Sequence, residues 1–252
     1  RLEPNISIAT QRRCPGTTAK DSLKARSMNV TLITYDAPHA KTLDIYLQLR
    51  GSPNLNVSIL IAPFINRPSR EALFKHRPEQ FRGPHIRDVA KYYNLQVWEY
   101  DQREIAVNNS NYLLIGGANI LEPELANCGK IINGHAGLIP LSRGLDAFKW
   151  AIFNMIPVGN TLHFIDENTD SGSVIHHEIT PLFANDTLES FAERHYQLEI
   201  CLLSRFLDYL HNGCKLRLQT TEPRRRMPID LEREMIKKFD IYKQKFALNT
   251  SV

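Results

Sequence analysis

Apolar and polar positions alternate in two rhythms along this chain. Val30–Tyr35, Val57–Ala62, Leu95–Tyr100, Tyr112–Ile115 and the short Lys130–Ile132 are runs of strand length, rich in β-branched and aromatic residues. Between the first of them lie Lys41–Leu49 and Ile86–Tyr93, where apolar residues recur at helical spacing. Strands alternating with helices predict an α/β domain, a Rossmann-like, mostly parallel sheet flanked by helices. Beyond Trp150 the rhythm changes to two strands expected to pair, Thr161–Ile165 and Ser173–Thr180, then one long helix from about Leu188 to Leu210. A last amphipathic segment carries Leu231, Met235, Phe239, Tyr242 and Phe246 on one stripe. Its acids Asp230, Glu232 and Glu234 come first and Lys237, Lys238, Lys243 and Lys245 later, the order that suits a helix dipole. This stripe either lies on its own domain or makes a subunit contact, so a homodimer is one expectation.

Residues 1–27 show no such period and read as a flexible leader, with Met28 as a natural start. The expected division is therefore a leader to residue 27, a catalytic domain over 28–212, and a tail over 213–252 with its helix. Right-handed crossovers place the strand C-termini on one edge of the sheet, where ligands of such folds bind. Gly116–Gly117 and Asn133–His135 should fall on that edge.

Composition changes this picture little. The 252 residues are 42% hydrophobic and 23% charged, with a formal net charge of +4. That balance suits a globular domain. Basic residues are spread along the chain, which permits a phosphate-bearing ligand without arguing for nucleic acid. No apolar run has the length of a membrane span, and the four cysteines, Cys14, Cys128, Cys201 and Cys214, show neither CxxC pairing nor metal-ligand spacing. A cytoplasmic protein with reduced cysteines and no metal is expected. The dinucleotide GxGxxG fingerprint, the P-loop, GxSxG and HExxH are all missing.

The chemistry concentrates in two stretches, Asn133-Gly134-His135-Ala136-Gly137-Leu138-Ile139-Pro140-Leu141-Ser142-Arg143-Gly144 and Gly159-Asn160-Thr161-Leu162-His163-Phe164-Ile165-Asp166-Glu167-Asn168-Thr169-Asp170-Ser171-Gly172. If the first stretch is extended, Asn133 and His135 project from the same side of the backbone. A loop carrying Asp170 can then fold back beside His135. An amide and an imidazole beside a carboxylate suit acyl transfer to an amine: donors for a tetrahedral oxyanion, a proton carrier, and a group that orients it. His163, inside a strand, is read as a packed or hydrogen-bonded histidine. The neighbours His176 and His177 face opposite ways and do not make a joint metal site. Arg143 reads as an accessible charge at a turn and a candidate substrate contact. Arg67, Arg70, Lys75, Arg77, Arg82 and Arg87 form a basic stretch, with Lys75 and Arg77 the first choices for phosphate. Tyr92, Tyr93, Trp98 and Tyr100 are candidates to stack a base.

The pattern N-x-H-x-x-L-x-P-x-x-R-G followed by G-x-T-x-H-x-x-D-E-x-x-D-x-G resembles the folate-dependent formyltransferase family. The resemblance runs from about Asn111 to Thr180. It implies a formyltransferase fold and enzyme, 10-formyltetrahydrofolate as formyl donor, and Asn133, His135 and Asp170 as the catalytic trio. It also implies that Leu114–Leu121, with Ala118, Asn119, Ile120 and Leu121, receives the pterin ring. Asp166 and Asn168, within the turn to Asp170, would form the opposite wall, and Leu138 would add apolar contact. Gly134 stands where the family commonly has a bulky apolar residue, Ala136 where it has Pro, and Asn119 where some relatives have Arg.

Three features bear on the acceptor. The seventy or so residues after Thr180 leave little room for the tRNA-gripping domain that the resemblance implies for methionyl-tRNA formyltransferases. A formyltetrahydrofolate hydrolase would be expected to carry an extra domain before the catalytic one. The purine-pathway enzyme usually opens with a Gly-rich phosphate loop, which Tyr35–His39 does not supply. What is left is a nucleotide-linked amino sugar of the 4-amino-4,6-dideoxy type, as used in polysaccharide biosynthesis. Glycinamide ribonucleotide, or a binding module without turnover, is the alternative.

Overall fold

The computed structural model describes residues 27–64, 71–166, 172–212 and 222–248. Its centre is a seven-stranded sheet in the order β3-β2-β1-β4-β5-β6-β7. The strands are β1 (Met28–Tyr35), β2 (Leu55–Ala62), β3 (Gln96–Trp98), β4 (Tyr112–Ile115), β5 (Ile131–His135), β6 (Gly159–Phe164) and β7 (Val174–Ile179). The pairs from β3 to β5 are parallel, and β6 and β7 join antiparallel. The mostly parallel sheet expected from the alternating pattern is the one observed.

Alternation along the strands sorts side chains onto two faces. Val30, Leu32, Ile59, Ile61, Leu114 and Ile132 share one core cluster. That cluster also holds residues of α1 (Ala40–Leu49), α2 (Ile86–Tyr92), α6 (Leu188–Ser204) and α7 (Phe206–Asn212). Ile33, Leu60, Ala62, Leu113 and Ile131 meet Ala106 of α3 (Arg103–Asn109) and Leu125 of α4 (Pro123–Ala126) on the other. Burial on both faces explains why these strands read as continuous apolar runs.

Several elements differ from the sequence expectation. The Leu95–Tyr100 run yields only a three-residue edge strand, because Tyr100–Gln102 turns into a 3-10 helix. The long helix breaks at Arg205, the C-cap of α6. Three short helices, α3, α4 and α5 (Ala147–Phe153), were not anticipated, being too short to show a helical period. β5 runs on through Asn133 to His135 instead of stopping at Ile132.

The tail helix α8 (Ile229–Phe246) lies on its own chain. Met235, Phe239 and Tyr242 are buried with Phe148 and Trp150 of α5 and Phe191 of α6. Glu232 anchors it: its carboxylate accepts the backbone N–H groups of Leu73 (3.1 Å) and Phe74 (3.0 Å) and pairs with buried Lys149. The stripe is thus consumed within the protomer, and the segment before β3 is pinned against it.

Gly134 has a local cause. A Cβ there would lie 2.9 Å from Leu203 Cδ1 and 3.3 Å from Glu199 Cγ, because α6 crosses this face of β5 at close range. Gly134→Val should cost about 1–3 kcal/mol by overpacking. Urea unfolding checks this, and unchanged stability would mean that α6 can slide away.

Candidate active site

β5 supplies the core of the site. Asn133 and His135 project to the side of the sheet that carries Ile131, while Gly134 between them faces α6. Antiparallel pairing sets His163 directly opposite Asn133, and Thr161 opposite His135. The amide nitrogen of Asn133 donates to His163 Nε2 at 3.3 Å, while His163 Nδ1 donates to the Phe164 carbonyl at 3.0 Å. This pairing fixes both the tautomer of His163 and the orientation of the amide. His163, fully buried, is packed and hydrogen-bonded as read from the sequence. Its contact with Asn133 was not foreseen, since it depends on the β5–β6 register.

His135 is 7% exposed and its Nε2 donates to the Ser142 carbonyl at 2.8 Å. In the neutral ring Nδ1 then carries the lone pair, so the ring can take up or release a proton there. Its ring meets that of His163 edge-on, 6.5 Å between centroids. The turn that follows is tied to β6: Thr161 Oγ1 donates to the Gly137 carbonyl (2.7 Å) and accepts the Ile139 N–H (3.0 Å). At Gly137 a Cβ would collide with the Ser142 carbonyl and lie 2.7 Å from His135 Nε2, so only glycine lets this bond pass.

The loop leaving β4 borders the same face. Ala118 and Leu121 pack against the α3–α4 cluster, Asn119 Nδ2 donates to the Pro63 carbonyl at 3.0 Å, and Ile120 is 86% exposed. Leu138 is buried and close to Gly159. Asp166 is half-buried at the end of β6. Asn168 and Asp170, expected in the opposite wall and the catalytic trio, lie outside the described residues.

The expected phosphate residues separate. Lys75 is exposed. Arg77 reaches α6 and donates to Glu199 Oε2 at 2.7 Å, with 31% of its side chain exposed. Arg143 is 6% exposed, so its charge is not the accessible one read from the turn; the chain closes over it because its carbonyl accepts the Arg224 N–H. Arg87 is held by Asp36 and Glu99 together, while Arg67 and Arg70 lie outside the described residues. Of the aromatic candidates, Trp98 and Tyr100 pack on the core, Tyr93 on Tyr46 and Arg50, and Tyr92 projects from α2.

A buried polar cluster on the opposite face was not legible in the sequence. Glu199, 1% exposed, pairs with Lys41 Nζ at 2.7 Å as well as with Arg77. Burial alone would raise its pKa; the charges of Arg77 and Lys41 win and hold it at about 2. Burial pulls Lys41 below its usual value, against the pull of Glu199. His195 Nδ1 accepts from Thr180 Oγ1 at 2.7 Å and from Asn160 Nδ2 at 3.2 Å. Burial pushes His195 down to about 4, with Glu199 opposing and Arg77 and His135 adding to the shift. His39 is likewise lowered to about 4, by burial first and then by Lys41 and Arg77.

Two neutral buried histidines make stability pH-dependent with a definite sign. Their folded pKa values lie below the unfolded 6.5, so the unfolded chain binds more protons between pH 6.5 and 4. Stability is complete above about 6.5 and falls as the pH drops through that window, by up to about 3 kcal/mol for each histidine. Urea melts at pH 7, 5.5 and 4.5 test this; a flat profile would mean that both rings charge freely inside the fold.

Among the described residues no group of three His, Cys, Asp or Glu could hold a metal, and no helix is long and apolar enough to cross a membrane. Cys128 and Cys201 are free thiols.

The fold and site together define a class: a mostly parallel α/β domain with an amide–imidazole pair at the C-terminal end of a central strand, the formyltransferase fold. Residues 101–207 match the Formyl transferase family model. The trifunctional purine biosynthetic protein adenosine-3 of Chironomus tentans is 39% identical over 103 residues, 40% of this chain and 8% of that protein. The phosphoribosylglycinamide formyltransferase of Bacillus subtilis is 35% identical over 91 residues, 36% of this chain and 45% of that protein. The chain therefore spans less than half the length of these curated relatives. A solved sugar N-formyltransferase from a Shewanella species shares the fold with a TM-score of 0.52 at 19% identity, covering 79% of this chain and 76% of that one.

Proposed function

We propose that the protein transfers a formyl group from 10-formyltetrahydrofolate to the primary amine of a nucleotide-linked amino sugar, of the 4-amino-4,6-dideoxy kind. The observation that carries the transfer is the Asn133–His135 pair, fixed by His163 and by the Ser142 carbonyl. The acceptor nitrogen attacks the formyl carbon directly. An N–H of Asn133 and the imidazole of His135 then face the developing oxyanion. His135, with Asp170 as the carboxylate assigned from the sequence, moves the proton that the amine loses towards the leaving N10. No side chain acts as nucleophile. The donor's ring fits the loop Gly116–Leu121, whose Ile120 offers an uncovered apolar surface beside Asn119.

Support for the sugar acceptor comes from the first helix. The N–H groups of Ala40 and Lys41, at the N-terminus of α1, are taken by the backbone and side-chain oxygens of Gln80 at 2.8 and 3.3 Å. A terminal phosphate monoester thus finds no cradle there, in keeping with the missing Gly-rich loop. A second reading, transfer to glycinamide ribonucleotide, is favoured by the names of the curated relatives.

The test is mass spectrometry of the protein with 10-formyltetrahydrofolate, a panel of nucleotide-linked amino sugars, and glycinamide ribonucleotide. Mass gain of one formyl group on a sugar supports the proposal. Gain on glycinamide ribonucleotide alone transfers it to the second reading, and no product on any amine ends both.

A further inference from the structure

The end of β1 and the residues after β2 form an aromatic surface that the transfer chemistry does not use. Tyr35, Phe64 and Phe81 meet with centroids 5.2, 6.2 and 5.1 Å apart for the pairs Tyr35–Phe64, Tyr35–Phe81 and Phe64–Phe81. His39 backs the cluster, 5.5 Å from Tyr35 and 5.9 Å from Phe81. Although mutually packed, Phe64 is 43% and Phe81 47% exposed, which is unusual for side chains that gain most from burial. The support is rigid: His39 Nδ1 bonds Thr42 Oγ1 at 2.8 Å, and Thr42 donates to Thr34 at 2.7 Å. Gly117 closes on it, since a Cβ there would lie 2.8 Å from Tyr35 and 2.7 Å from His39.

This surface sits at the C-terminal ends of β1 and β2, beside the switch point between β1 and β4, and Gly117 of the loop leaving β4 packs on it. Positive charge lies beside it. Lys41 and Arg77 both act on His39, and the two cations share the single carboxylate Glu199. Only one N–H of the Arg77 guanidinium is used on Glu199 among the described residues, so the planar fork still offers donors to an anion. Exposed aromatic rings, set edge-on and tilted to one another, next to an excess cation match a base joined to phosphate.

We infer that Tyr35, Phe64 and Phe81 are the stacking platform for the nucleobase of a nucleoside diphosphate, with Arg77 on its phosphates. The inference rests on the nucleotide-linked acceptor proposed above and names the residues that recognise its base. It places that base on residues other than Tyr92, Tyr93, Trp98 and Tyr100.

Calorimetric titration of the full chain with uridine and thymidine diphosphates, and with inorganic pyrophosphate, tests it. The wild type should bind at least one nucleoside diphosphate tenfold or more tighter than pyrophosphate. Phe64→Ala/Phe81→Ala should abolish that advantage while leaving pyrophosphate binding and tetrahydrofolate binding in place, the latter reporting an intact fold. The milder Phe81→Leu serves if the double variant does not fold, and should weaken nucleotide binding alone. Equal affinity of the wild type for pyrophosphate and nucleotide overturns the platform, as does an unchanged nucleotide affinity in the variants. Nucleotide binding lost in the variants, with no formyl gained by any sugar, keeps the platform and removes the proposed acceptor. Sugar formylation at undiminished KM in the variants does the reverse.

Discussion

His135→Ala is expected to lower the formyl-transfer rate by about 10³-fold, with tetrahydrofolate affinity within a few-fold of wild type. A positioned proton carrier contributes 10²–10⁴ in rate, and a lost oxyanion donor costs about 10²–10³. His135 can serve in either role. On the proposed reading the donor's ring is met by the loop Gly116–Leu121, so loss of the imidazole should leave the bound ground state intact. The effect should therefore fall on kcat and leave the donor's KM nearly intact. His163 is fully buried and holds the Asn133 amide through Nε2. His163→Phe is accordingly expected to cost about 10–100-fold, and in combination with Asn133→Ala little beyond the latter alone, since the two act as a unit. Single-turnover rates with a fixed amine provide the measurement. Additive losses would show that the Asn133–His163 bond has no part in the reaction, and a His135→Ala enzyme at wild-type rate would remove the imidazole from the mechanism.

Glu199→Ala is expected to produce the largest loss of stability in the chain. Lys41 is 5% exposed and Glu199 1%, so removing the carboxylate leaves a buried ammonium with no counter-charge. Breaking such a pair from one side costs about 3–5 kcal/mol, a large share of the roughly 5–15 kcal/mol that holds a domain together. The midpoint of thermal unfolding should drop by about 10 °C for a domain of this size. Replacing both partners, as in Lys41→Met with Glu199→Leu, should restore much of that loss, because neither desolvated charge is left behind. Urea melts of the singles and the double decide it: if the double is no better than Glu199→Ala, the cost lies in the shape of α6 and not in charge. Glu199 also holds the guanidinium of Arg77, at 2.7 Å, so the proposed phosphate contact should weaken in the Glu199→Ala variant as well.

The helix and strand order from Met28 to Leu210 was legible because burial on both faces writes itself into the sequence as short apolar runs separated by helical periods. The Asn133 and His135 pair was legible for a similar local reason: two positions apart on an extended backbone must share a face. The short α3, α4 and α5 escaped notice, since seven residues or fewer complete no more than two turns of the period. Arg143 was misread as accessible because nothing in its own neighbourhood reveals that Arg224, eighty positions on, closes over it.

What the sequence by itself determined, then, is the alternating α/β order and the chemical types at the end of the fifth strand. The tertiary structure alone decided which partners those groups meet. The β5–β6 register put His163 on Asn133, the crossing of α6 demanded glycine at 134 and gathered Lys41, Arg77 and Glu199, and Gln80 filled the N-terminus of α1. Local patterns are set by the period of a single element, whereas each of these contacts joins residues many positions apart, at a distance fixed only when whole elements pack.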